Sequence, residues 1–186
     1  MILKIELQTI KTGDLGLSSG TSFLAKGIQL FTKCKYNHAF VFWWNYDELF
    51  VIEADRRGGG NGAGIITTPF ADYIKSKKPV LIKRPTFEIN GSELGKFMLS
   101  KVGRINYSKW NLIVAQPLYQ LFGFWIGTSK KNAERMVCSA WCGYVYNNFY
   151  PEKFKHWSRL DPEDLFNDNV DFKSIYLIEN DEIKSV

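Results

Sequence analysis

The chain has 186 residues, 45% of them hydrophobic and 23% charged, which fits one globular domain over residues 1–186 with a core of its own. Twenty-four Lys and Arg against 19 Asp and Glu leave a formal +5, with basic residues scattered from Lys4 to Lys184. That argues against nucleic acid, and it leaves an anionic membrane or an acidic substrate open beside a plain solvated exterior.

Leu3, Ile5 and Leu7 alternate with Lys4, Glu6 and Gln8, predicting a strand that ends at Lys11-Thr12-Gly13-Asp14. Charges break this N-terminal run before it can act as a signal peptide. Three cysteines are odd in number and too few for a disulfide framework, so a cytoplasmic protein with free thiols is expected. Ser18-Ser19-Gly20-Thr21 can cap a helix carrying Leu24, Ile28 and Phe31. Strands follow at His38 to Trp44 and Leu49 to Asp55, joined as a hairpin. The glycine-rich stretch from Arg57 to Gly64 is not followed by Lys-Ser or Lys-Thr, so it reads as a surface crossing and not a phosphate loop. Strands at Ile65 to Thr68 and Val80 to Lys83 flank a short helix near Phe70 to Lys75. Helices are predicted at Ser92 to Val102, Lys109 to Phe122 and Val137 to Tyr150, the last stopped by Pro151. A strand from Phe172 to Ile178 closes the fold. The apolar run from Trp110 to Gly127 contains Asn111, Gln116, Pro117 and Gln120 and is too short to span a bilayer. It reads as a core helix and apolar turn, or as a hydrophobic lip near a binding site.

His38 opens a strand otherwise made of Ala39 to Trp44, where an imidazole needs a partner. A two-residue loop at Asn45-Tyr46 sets His38 opposite Glu53; a four-residue loop sets it opposite Asp55 with Glu53 diagonal, about 7 Å away. Either register supplies a carboxylate that can fix the ring's tautomer and support its charge. Cys138 and Cys142 lie one helical turn apart. A thiol in the first turn is stabilised as thiolate by free amides and the helix dipole. Cys138 suits that position, unless Ser129 caps a longer helix that leaves it in mid-helix and inert. A rival is a zinc site from Cys34, His38, Cys138 and Cys142; an extended 34–38 segment would hold two of these ligands about 13 Å apart, which disfavours it. His156 reads as surface or packing.

Six segments occur in order, Thr12-Gly13-Asp14-Leu15, Tyr36-Asn37-His38-Ala39-Phe40-Val41, Val51-Ile52-Glu53-Ala54, Val102-Gly103-Arg104-Ile105-Asn106-Tyr107, Val137-Cys138-Ser139 and Leu160-Asp161-Pro162-Glu163-Asp164-Leu165, and their order and spacing span most of the chain. Together they resemble the YiiX-like branch of the NlpC-type papain superfamily, permuted so that histidine precedes cysteine. The resemblance implies an α+β fold, a small antiparallel sheet packed against helices, with cysteine at a helix start. It implies Cys138 as nucleophile, His38 as base, Glu53 as third member, and Tyr107 and Ser139 as substrate contacts. Arg104 and Ser108 stand where the family carries lysine and aspartate, and Ala140-Trp141 follow Ser139 where Glu-Leu is common.

The expected function is hydrolysis of an amide bond, in a peptide or cell-wall-type peptide, through an acyl-enzyme. No cofactor and no metal are expected. The partners expected are a peptide or N-acyl substrate, no nucleic acid, and a lipid or membrane surface for residues 110–127. The alternatives are a lipid-directed thiol acyl hydrolase or acyltransferase on the same residues, and a binding module with Cys138 merely buried.

Overall fold

The computed structural model describes residues 7–20, 34–55, 64–76, 79–108, 110–127, 134–179 and 182–186. The expected first strand lies outside the described residues up to position 6, and its described end is not strand, since Leu7 is helical and residues 8–9 form a turn; the helix with Leu24, Ile28 and Phe31, and the glycine-rich crossing up to residue 63, lie outside the described residues. The strands are β1 (Leu15–Ser18), β2 (His38–Asn45), β3 (Glu48–Asp55), β4 (Gly64–Pro69), β5 (Val80–Pro85), β6 (Asn106–Tyr107), β7 (Arg135–Met136), β8 (Phe172–Glu179) and β9 (Glu182–Ser185). The helices are α1 (Phe70–Ser76), α2 (Gly91–Leu99), α3 (Gln116–Phe122), α4 (Cys138–Phe149) and α5 (Pro162–Asn167), with a π-helical turn, Asn111–Ala115, leading into α3.

All nine strands form one sheet, in the order β7-β6-β4-β3-β2-β1-β5-β8-β9. The α+β class is as expected, but the sheet is not small. Nor is it wholly antiparallel, because β6 and β7 run parallel. The fold does not close at Ile178: β9 adds an edge strand through Ile178↔Ile183 and Glu179↔Glu182. In that short run only Ile183 is apolar, too little alternation to stand out.

Alternation along β2 and β3 divides the core. Ala39, Val41, Ile52 and Ala54 face α4, packing with Trp141, Cys142, Val145 and Tyr146. Phe40, Phe42 and Val51 face the other way, against Phe70 and Tyr73 of α1. This is the period-two side-chain pattern of a strand buried on both faces. The hairpin pairs Trp44 with Leu49 and Val41 with Ile52. Continued, that register sets His38 across from Asp55 and leaves Glu53 diagonal.

Two anchors fix α4 over the sheet: Trp141 Nε1 donates to the Ile52 carbonyl at 3.1 Å, and the Tyr146 hydroxyl donates to the Gly13 carbonyl at 3.1 Å. Gly143 lets α4 press on the 157–160 turn, since a Cβ there would stand 2.5 Å from Leu160 Cδ1 and 3.1 Å from Trp157 Cα. At α5, Asp161 and Asp164 form a reciprocal capping box with Pro162 in the first turn. The buried Lys83 ammonium donates to the carbonyls of Leu165, Phe166 and Asp168 at the other end of that helix. These oxygens have no partner within the helix, so the cation answers both their hydrogen-bonding need and the helix dipole.

Candidate active site

Cys138 is the first residue of α4. Val137 before it is extended, at φ −93 and ψ 169, and offers no side-chain cap. Strand β7 directly precedes it, so a helix continuous from Ser129 is excluded and the first-turn amides of α4 stay available. The amides of Ser139 and of Ala39 face the Cys138 sulfur.

His38 begins β2, paired with Ser18 of β1. Its Nε2 donates to Glu53 Oε2 at 2.5 Å. Glu53 is fully buried, and its other oxygen accepts from Thr68 Oγ1 at 3.3 Å. With Nε2 committed to Glu53, the hydrogen bond between ring and thiol falls to Nδ1. The ring also lies beside Tyr73, centroids 6.5 Å apart and planes 27° off parallel. Tyr73 in turn shares a 2.7 Å hydrogen bond with Ser18 Oγ.

His38 has the strand parity of Phe40 and Phe42, so it belongs to the α1 face, whereas Cys138 heads a helix on the opposite face. Ring and sulfur meet at the start of β2, where a thiol at a helix end can reach past the strand. Burial by itself pushes the Cys138 thiol up; the His38 charge, its hydrogen bond and the amides of Ala39 and Ser139 outweigh that and hold the thiol below the usual range. Cys142, one turn on and equally buried, is pushed well above that range by desolvation and then by the Cys138 charge. One helix thus carries two thiols of opposite character, separated by who faces them.

Of the residues expected at the site, Cys138, His38 and Glu53 come together. Tyr107 lies on β6 beside Met136 of β7, two residues from Cys138. Ser139 turns its hydroxyl away, donating to the Leu160 carbonyl at 2.6 Å, and meets the sulfur only through its amide. Sequence reasoning missed Tyr73, Ser18 and Thr68. The spacing of Phe70 and Tyr73 marks one face of a helix, but nothing in it shows that the face covers the histidine. Burial, then the Glu53 charge, keeps the Tyr73 hydroxyl well above its ordinary range, hence neutral.

No protein-family model and no curated protein matches the chain. Among solved structures it matches the metalloprotein YiiX from Escherichia coli O157:H7, with 17% identity, a TM-score of 0.52, and coverage of 89% of this chain and 96% of that one. The fold is YiiX-like. Among the described residues, His38, Glu53 and Asp55 have ligand atoms within 4.8 Å of one another, a donor set that suits a divalent ion in kind. His38 Nε2 and Glu53 Oε2 stand 2.5 Å apart as hydrogen-bond partners, closer than the roughly 3.3 Å between two ligand atoms of one zinc at bond lengths near 2.0–2.1 Å. Cys34, Cys138 and Cys142, the three cysteines of the four-residue zinc alternative, do not join the cluster.

Proposed function

We propose that the chain is a cysteine hydrolase of the permuted NlpC-type papain-like class, cleaving an amide bond in a peptide or N-acyl substrate. The observation that carries this reading is the meeting of three buried groups: Cys138 at the first position of α4, the His38 ring, and Glu53 hydrogen-bonded to that ring at 2.5 Å. The His38 charge draws the Cys138 thiol down, while burial drives the Cys142 thiol up. The Cys138 thiolate attacks the carbonyl carbon and forms a C–S bond as the π electrons move to oxygen. The Cys138 amide at the start of α4 donates to that oxyanion. His38 gives its proton to the departing amine as the C–N bond breaks, leaving a thioester. Water, deprotonated by His38, then releases the acid and regenerates the thiol. Glu53 holds the ring and supports its positive form. Tyr107 and the Ser139 amide border the acyl position. Three free cysteines suit a reducing compartment such as the cytoplasm.

A second reading assigns the same residues to acyl hydrolysis or transfer on a lipid; the exposed apolar side chains of Trp110, Ile113, Leu121 and Phe122 favour it. The test is intact-mass detection of an acyl adduct with activated acyl donors, on peptide-like and fatty-acyl carriers in parallel. An adduct on Cys138, absent in Cys138→Ala and kept in Cys142→Ser, is expected. No adduct with any donor would favour a binding module that keeps the fold.

A further inference from the structure

Residues 110–127 form a projection between β6 and β7, the strands leading to Cys138. It is rooted by the buried Asn111 and Ala115, with the Asn111 amide donating to Ser108 Oγ at 3.1 Å. Beyond the root, apolar side chains point outward: Trp110, Ile113, Leu121, Phe122, Phe124 and Ile126 are all exposed, Leu121 at 64% and Phe122 at 65%. They are not loose ends. Gly123 ends α3 at φ 74, bringing the Phe122 and Phe124 rings within 6.1 Å, and Trp125 packs edge-on to Tyr119 at 5.9 Å. This many exposed apolar side chains in one short segment point to an interaction site.

The charge pattern identifies the partner. Residues 110–127 contain no charged side chain, while the whole stretch 100–136 holds six basic residues, Lys101, Arg104, Lys109, Lys130, Lys131 and Arg135, against the single acid Glu134. These 37 positions thus carry a net +5, equal to the whole chain's formal charge. Arg159 adds a guanidinium 5.7 Å from the Tyr119 ring centre. An uncharged apolar stretch with Trp near each end and basic residues flanking it in sequence is the pattern of a segment that lies in the bilayer interface, its cations among anionic headgroups. No described helix is long and apolar enough to cross a membrane.

We propose that residues 110–127 dock the protein on an anionic lipid bilayer, setting the Cys138 site at the membrane surface. Docking does not require the acyl chemistry, so the two are tested apart. Full-length protein is sedimented with vesicles of phosphatidylcholine alone or mixed with phosphatidylglycerol, at low and high salt. Wild type and Cys138→Ser should pellet alike with the anionic vesicles, about tenfold less with phosphatidylcholine or at high salt. The triple substitution Leu121→Ser, Phe122→Ser, Phe124→Ser, confined to exposed positions and checked for folding by circular dichroism, should weaken binding at least about tenfold. The proposal is overturned by absence of pelleting, by equal pelleting of the triple variant, or by wild type forming a dimer that the substitutions dissolve without any vesicle binding.

Discussion

A sulfur buried in protein titrates high unless something charged or hydrogen-bonding meets it, and of the two thiols of α4 Cys138 is met by the His38 ring and by two amides. Glu53 bonds to the His38 ring, and in the proposed mechanism it acts through that ring and not on the sulfur, so its role can be isolated. In Glu53→Gln the amide accepts or donates where a carboxylate only accepted, the tautomer is no longer fixed, and the imidazolium loses its counter-charge. Activity on the acyl donors should drop about 10²–10⁴-fold, while near-ultraviolet circular dichroism stays native; a loss under about threefold would remove Glu53 from the mechanism. At this scale the residue types were legible in sequence, because a histidine opening an apolar strand and a carboxylate on its neighbour are themselves unusual. Tyr73 was not, since its value lies in which face of the sheet α1 covers.

Elements place these residues, and their boundaries decide the chemistry. The start of α4 at Cys138 was open between two readings in sequence, because Ala133, Met136 and Ala140 keep helical phase; a two-residue strand, Arg135–Met136, too short for periodicity to reveal, decides it. The hairpin register was open too, and the loop at Tyr46-Asp47 selects the one with Glu53 diagonal to His38. The helix also has to lie close. Gly143→Ala gains about 1 kcal/mol of helix propensity but drives a methyl to 3.1 Å from Trp157 Cα and closer still to Leu160, an overpacking that costs about 1–3 kcal/mol. Backbone cannot yield as a side-chain tip can, so the loss should win. Thermal unfolding should shift down by about 2–6 °C; an unchanged or raised midpoint would show that the 157–160 turn gives way freely.

At the scale of the whole molecule, the sheet is the device that lets groups from opposite faces meet. His38 and Glu53 project on the α1 face, α4 lies on the other, and the meeting point is at the start of β2. Strand and helix spacing could suggest each element but not the order β7-β6-β4-β3-β2-β1-β5-β8-β9, in which β1 sits between β2 and β5; such pairings are set by long-range packing. The basic residues flanking the projecting segment were countable in sequence, yet they gained meaning only once the apolar side chains between them proved exposed. The central claim is that His38 lowers the pKa of the buried Cys138 thiol. The direct measurement is the rate of Cys138 alkylation by iodoacetamide against pH, read by peptide mass, in wild type and in His38→Ala. With the ring in place the folded thiol titrates below its ordinary range, so labelling should outpace that of a model thiol at the same pH. With the ring gone burial is unopposed by its charge, and the midpoint should move upward. Identical profiles for the two proteins, or a wild-type midpoint at or above that of a model thiol, would contradict the account.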